Sequence, residues 1–338
     1  MPPPRGSRSP REKATEEEFI AVWKKHGGHA ATIANELGYT DPRNMLARRR
    51  RLEEKLGIKL KSGVKSPDAA VSYHNAFFKM NIEDGPVLVG TDPHYWPGEK
   101  TTVQRAFVHF VKYMDPRPKI IVLNGDVFDG ARIGRFGRIG WLEKDRPTVK
   151  QELEVCQERL DEIEEASPKG ARLVWPLGNH DARFEASLAN TNPEYEGVEG
   201  FALKDRFPRW QPCWSFWINE STPGWTEIKH RFRGGIHATY NNALRAGVSL
   251  ITGHLHSMKV YPYTDRRGTR FGVDAGTMAD VDGDNIGSQF VHYLEANPVD
   301  WRSGFVVLTF KGGRLLWPEI VHKYEEGVVE FRGNLIEV

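Results

Sequence analysis

The sequence predicts an α/β fold with its chemistry at the C-terminal ends of strands, preceded by a small helical unit. Apolar or β-branched runs at residues 87–89, 120–123, 173–177 and 248–252, and a weaker one at 232–236, each lead directly into a short polar cluster. Parallel strands that deliver side chains to one edge of a sheet have this pattern. The clusters are built from Asp, Asn, His and Gly. Residues 15–56, by contrast, carry helix punctuation and no strand alternation.

Residues 1–14 are rich in Pro, Ser, Arg and Lys and read as a disordered lead-in. Thr15 with Glu18 forms a capping-box pattern, and Phe19, Val22 and Trp23 then share one helical face until Gly27-Gly28. Ala30, Ala31, Ile33, Ala34 and Leu37 predict a second helix closed by Gly38. Asp41-Pro42 starts a third, with a core face of Met45, Leu46, Leu52 and Leu56. The three helices, spanning residues 15–61, resemble a helix-turn-helix module of the kind found at the head of phage-encoded proteins. That resemblance implies DNA contacts from Arg43, Asn44, Arg48, Arg49, Arg50 and Arg51. The same arginines also suit the solvated face of a protein-docking cap. Residues 62–85, with Gly63, Pro67 and few apolar side chains early on, read as a linker.

Gly85-Pro86 opens the main domain, residues 86–338. Leu153, Cys156, Leu160 and Ile163 place one apolar stripe on a helix over 148–165, and Pro168-Lys169-Gly170 turns the chain into the next strand. An insertion at 131–146 mixes Arg132, Arg135, Phe136, Arg138 and Trp141, a composition able to meet phosphates and stack on bases; Arg132 and Arg135 are its candidate substrate contacts. The aromatic stretch 210–225 reads as core or a protein contact. Asp274-Ala275-Gly276-Thr277 reads as a turn. Alternating residues at 305–310, 315–320 and 328–331 predict antiparallel strands that finish the sheet.

The polar clusters are Asp92-Pro93-His94, Gly125-Asp126-Val127-Phe128-Asp129, Gly178-Asn179-His180-Asp181, His237, and Gly253-His254-Leu255-His256. In this order and spacing they resemble the calcineurin-like metallophosphoesterase superfamily, over roughly residues 86–280. The resemblance implies a four-layer α/β/β/α sandwich and two divalent metal ions. Asp92, His94 and His256 would hold one ion, Asn179, His237 and His254 the other, and Asp126 would bridge them. It also implies attack by a metal-activated hydroxide on phosphorus, with His180 as the acid for the leaving oxygen, Asp129 as the carboxylate that orients it, and Asp181 as support. Carboxylate, amide and imidazole donors without a thiolate suit Mn²⁺, Fe²⁺ or Zn²⁺ better than Mg²⁺.

Protein phosphatases of that superfamily place an Arg directly after the second Asp of the second cluster, where this chain has Gly130. The wording of the second and third clusters looks more like the nuclease branch, so the expected substrate is a DNA phosphodiester. The alternatives are a phosphomonoester, nucleotide or phosphoprotein substrate, or a DNA-binding regulator in which the second domain is a scaffold. Charge distribution bears on the partner. The whole chain has a formal net charge of +2, while residues 1–67 hold 15 Lys and Arg against 8 Asp and Glu. The positive end suits a polyanion such as DNA. Two distant cysteines, Cys156 and Cys213, and no membrane-length apolar run imply a cytoplasmic protein, in the host cytoplasm if phage-encoded.

Overall fold

The computed structural model describes residues 14–26, 28, 30–39, 43–60, 75–134, 146–195, 197–281 and 300–338. The chain divides into two compact units, Met1–Ser72 and Tyr73–Val338. The lead-in at 1–13, residues 61–74 of the linker, and Arg135, Phe136, Arg138 and Trp141 lie outside the described residues.

In the first unit the local signals produce α1 (Glu16–Lys25), α2 (Ala30–Glu36) and α3 (Arg43–Leu56). The Thr15 hydroxyl caps α1 by accepting from the Glu18 amide at 3.1 Å. Phe19, Trp23, Ile33, Ala34, Leu37, Met45, Leu52 and Leu60 form the core. Leu46 and Leu56, expected in that core, are exposed. Leu46 lies about 100° around the helix from Met45, and Leu56 sits in the last turn of α3.

Two of the expected DNA contacts, Arg48 and Arg49, pack against this core. Arg48 lies over the Phe19 ring at 4.9 Å, and its guanidinium donates to the Tyr39 hydroxyl (2.6 Å) and to the backbone carbonyls of Ala14 and Thr15. Arg49 pairs with Glu53 at 3.2 Å and lies over Trp23. Their long stems are drawn inward by aromatic faces, which a linear reading of an arginine run does not reveal. Asn44, Arg50 and Arg51 are exposed, while Arg43 opens α3 with its side chain outside the described set.

The second unit is a mixed α/β fold. Its strands are β1 (Asn75–Met80), β2 (Gly85–Gly90), β3 (Ile120–Leu123), β4 (Arg172–Pro176), β5 (Gln211–Ile218), β6 (Thr226–Ile228), β7 (Ser249–Thr252), β8 (Lys259–Asp265), β9 (Gly268–Asp274), β10 (Gly304–Lys311), β11 (Arg314–Leu315), β12 (Glu319–Glu325), β13 (Val328–Phe331) and β14 (Asn334–Glu337). The helices are α4 (Thr102–Tyr113), α5 (Val149–Ala166), α6 (Asp181–Thr191), α7 (Leu203–Arg206) and α8 (Ala238–Ala246). The strand order is β14-β13-β12-β10-β2-β3-β4-β5-β6-β7-β9-β8, with β1 beside β5 and β11 beside β10.

A path this long does not stay open, because twisted sheets beyond roughly ten strands curl or split. Here one core cluster contains strand and strand-end residues from both halves of the path and none from a helix: Val87, Val89, Ile120 and Val122 on one side, Phe216, Ile228, Ile251 and Val273 on the other. The intervening residues Leu88, Ile121 and Leu123 point to the opposite face, where Val103, Phe107, Leu153, Cys156 and Leu160 of α4 and α5 cover them. Both faces of β2 and β3 are therefore buried, which explains their unbroken apolar runs.

Several boundaries differ from expectation. Residues 75–80, read as linker, form β1, which runs parallel to β5 with Phe78 stacked on Phe216 at 5.5 Å. Much of the aromatic stretch at 210–225 is β5 itself, with Trp210 and Phe216 buried. Residues 232–236 form no strand. The strand of that region is β6, which ends four residues earlier.

Candidate metal centre

Parallel pairing of β2, β3 and β4 brings three of the polar clusters to one edge. The loops after β2 and β3 then travel together. The amides of Asp92, His94 and Tyr95 donate to the carbonyls of Gly125, Asp126 and Val127 at 2.9–3.1 Å. β6 and β7, parallel to each other, deliver residues from the second half of the sheet.

The backbone at this edge is strained. Asp92, His94, Asp126, His254 and His256 all adopt positive φ, between 42° and 71°, a conformation that costs a non-glycine residue about 1–3 kcal/mol and persists only where the surroundings enforce it. Asp181 is one enforcer. Its buried carboxylate accepts from the amides of Asp126, Val127, Phe128 and Gly178 and from the Trp175 indole, all within 3.0 Å. Close approach matters as much: a Cβ at Gly178 would lie 2.0 Å from Asp126 Oδ1, so no other residue fits there without displacing that carboxylate.

Donor atoms of Asp92, His94 and His256 lie within 4.8 Å of one another, and so do those of Asp126, His230 and His254. His256 Nε2 is 2.9 Å from Asp92 Oδ1. His94 Nε2 lies 3.8 Å from Asp92 and 3.9 Å from Asp126, while its Nδ1 is held by Asp129 Oδ1 at 2.8 Å. A carboxylate behind an imidazole fixes which nitrogen faces the site. His180 is close to the same carboxylate, with Nδ1 3.1 Å from Asp129 Oδ1 and 2.8 Å from its carbonyl oxygen. Asp129 thus serves His94 as well as His180, and the contact to His94 is the shorter.

His237 is not brought into this cluster. It caps the start of α8 and is exposed. The position expected of it is filled by His230, whose Nδ1 donates to the Asn124 carbonyl at 2.8 Å and whose Nε2 lies 3.1 Å from Asp126 Oδ2. The carbonyl can only accept, so Nδ1 carries a hydrogen and Nε2 is the nitrogen left to face the centre. Gly125 makes room for the ring, since a Cβ there would stand 2.5 Å from His230 Nδ1.

The donor set fits divalent ions. Asn179 Oδ1 is buried with no hydrogen-bond partner, a costly state for a polar atom unless something else completes it. The electrostatics agree. Burial alone would raise the carboxylates, yet His256 and His230 beside Asp92, and His230, His180 and His94 around Asp126, hold both well below the usual range. Against the effect of burial, the neighbouring carboxylates push His94 up to about 10 and His230 to about 9.

The chain is similar to two phage proteins of the same description. It is 32% identical over 238 residues to the Gene 54 protein of Mycobacterium phage D29, covering 64% of this chain and 86% of that one. The chain belongs to the mycobacteriophage Gene 54 protein family. The Gene 54 protein of Mycobacterium phage L5 is 26% identical over 230 residues, covering 61% of this chain and 82% of the relative. No family model matches the chain. Among solved structures it is similar at low TM-score to Vacuolar Protein Sorting 29 from Cryptosporidium parvum (TM-score 0.40, 13% identity, 76% of this chain and 100% of that one). It is likewise similar to the Pseudomonas putida nuclease MPE (TM-score 0.28, 13% identity, 69% and 86%).

Other residues of this Gene 54 family member have roles that a sequence pattern does not announce. Arg132 clips the base of its loop, donating to the carbonyls of Arg146 (2.7 and 3.3 Å) and Pro147 (2.9 Å), so the structure does not turn it toward substrate. Glu152 accepts from the amides of Gly130 (2.6 Å) and Ala131 (3.1 Å) and anchors the chain just after Asp129; burial and the Asp129 charge push it up to about 8. Thr277, in the expected plain turn, donates to the Asp92 carbonyl at 2.6 Å.

His230 and His237 give a direct test. His230→Ala is expected to lower bound Mn²⁺ measured by elemental analysis, whereas His237→Ala should leave it unchanged; the reverse result would restore His237 to the centre. Cation uptake by the wild type should also release protons near neutral pH. His94 and His230 hold theirs up to about 10 and about 9, so affinity should rise with pH by about tenfold per unit for each proton displaced. Calorimetric titration in buffers of different ionisation enthalpy measures that release.

Proposed function

We propose that this chain is a dinuclear-metal phosphoesterase of the calcineurin-like kind that hydrolyses a DNA phosphodiester in the cytoplasm of the phage's host. The observation that carries the reading is the convergence of two donor groups on one shared carboxylate, Asp126. Asp92, His94 and His256 would hold one ion, Asn179, His230 and His254 the second, with Asp126 common to both. Bound Mn²⁺, Fe²⁺ or Zn²⁺ supplies a Lewis acid that polarises a phosphoryl oxygen and lowers the pKa of a water.

The chain's own residues supply the rest. His180 Nε2 faces the same space, 3.9 Å from Asp126 Oδ2, and is placed to give a proton to the leaving oxygen. Asp129 fixes that ring through Nδ1, and the His180 amide donates to Asp126 Oδ1 at 2.8 Å, which ties the backbone of the acid to the shared carboxylate. Support for the four-layer arrangement comes from α4 and α5 over one half of the sheet, the strand-only core between the halves, and α8 across β7, β8 and β9.

DNA is the favoured substrate for two reasons. Exposed Asn44, Arg50 and Arg51 on α3 sit in the positively charged end of the chain, which supports the helix-turn-helix reading. Gly130 lacks the arginine that phosphatases use for a dianionic monoester. The test compares Mn²⁺-dependent turnover of an aryl phosphodiester, single-stranded DNA, duplex DNA, a nucleotide monoester and a phosphopeptide by the full-length protein. The expected result is fastest turnover of DNA, with capture of long DNA falling steeply with salt as counterions are released. A preference for the nucleotide or phosphopeptide points to a phosphatase. No hydrolysis at all leaves a DNA-binding protein whose second unit is a scaffold.

A further inference from the structure

The first turn of α6 carries Arg183 back over His180. Its Nη1 donates to the Asp129 carbonyl at 3.1 Å, and Nη1 and Nη2 lie 2.8 and 2.9 Å from the two ring nitrogens of His180. None of these partners is an anion. Among the described residues no carboxylate lies within ion-pairing distance of Arg183, although its guanidinium is half-buried. The neighbouring carboxyl groups are already engaged: Asp129 by His94 and His180, and Glu152, pushed up to about 8, by the amides of Gly130 and Ala131.

Glu152 acts on the Arg183 guanidinium only through space, and a half-buried guanidinium that makes no direct ion pair loses hydration with little gained in return. It stands at the rim of a centre built around an anionic substrate, on the side of the proton donor. The local backbone leaves it that place. Gly130 has φ of 65°, and a Cβ there would sit 3.0 Å from Phe128, 3.3 Å from Ile133 and 3.6 Å from Arg183 Cδ, so a larger residue at 130 would crowd the wall beside the arginine stem. Arg132, one of the two arginines the sequence offers for this role, is engaged by its loop, and Arg135 lies outside the described residues.

We propose that Arg183 is the substrate-gripping residue of this centre, binding a non-bridging oxygen of the phosphodiester and of the phosphomonoester that its hydrolysis leaves. The inference rests on the phosphoesterase reading above. A guanidinium fork suits a phosphoryl group because two parallel N–H donors match two oxygens, and contact with His180 would bring the held phosphate beside the group that protonates its leaving oxygen.

The test uses the full-length Mn²⁺-loaded protein as wild type, Arg183→Ala and Arg183→Lys. Three quantities are read: bound metal, inhibition by inorganic phosphate, and turnover of aryl phosphodiesters with good and poor leaving groups. In Arg183→Ala, phosphate inhibition should weaken roughly 10–100-fold, the range for a charged hydrogen bond, at unchanged metal content. The turnover loss should be equal for both leaving groups, with partial recovery in Arg183→Lys. Unchanged phosphate inhibition combined with a turnover loss concentrated on the poor leaving group overturns the proposal, because Arg183 would then only be holding His180. If the wild type neither hydrolyses any phosphoester nor is able to bind phosphate, the phosphoesterase reading itself fails, a result distinct from an Arg183 variant that behaves like wild type.

Discussion

Asp126→Asn should empty both halves of the centre and abolish hydrolysis together. The substitution keeps the shape of the side chain, so its amide still fits against Gly178. It removes the negative charge that His94, His180 and His230 surround at 3.1–3.9 Å. Loss of an outer-shell partner costs a metal site roughly 10–100-fold, and a carboxylate common to both groups should cost more. Elemental analysis of the purified variant and Mn²⁺-dependent turnover of an aryl phosphodiester measure the two effects. Retention of full metal content with full activity would remove Asp126 from the centre.

The second large effect separates proton donation from metal holding. His180→Ala should reduce turnover by roughly 10²–10⁴-fold, the usual share of general acid catalysis, while bound metal stays near the wild-type level. The penalty should shrink for esters with good leaving groups, which depart without a proton. Loss of metal instead, or an equal penalty for every leaving group, would make His180 a ligand or a structural residue.

What the sequence disclosed here follows from how local the information was. The placing together of Asp92, His94, Asp126, His254 and His256 was legible because each lies within four residues of a strand end, and strand ends are marked by runs of Val, Ile and Leu. His230 was equally near the end of β6, but that strand is only Thr226–Ile228 and its polar Thr and Glu disguise it. The inward alternation of Thr226, Ile228 and His230, all buried, was the available signal. His237 stands in the ordered series of clusters after the weak apolar run at 232–236, yet that run is an exposed turn leading into α8. The packing of Arg48 is hidden for a different reason: whether an arginine in a run of four faces solvent or an aromatic core depends on Phe19, which is 29 residues away. The fold class was legible from the apolar runs, whereas β1 was hidden at the end of a polar stretch and its pairing with β5 is entirely long-range.

The position of β10 has a consequence for how the centre comes into being. β10 is antiparallel to β2, with Val306 opposite Val89 and Val307 opposite Leu88. The strand that carries Asp92 and His94 to the centre therefore keeps one unpaired edge until residues 304–311 have left the ribosome. Unpaired apolar edges are the surfaces through which nascent chains aggregate. The donors enter the chain early and late, from Asp92 to His256, yet none of them is in the strand that completes the ladder. A nascent chain can thus hold every donor residue of the centre and still lack the rigid edge that aims the first two.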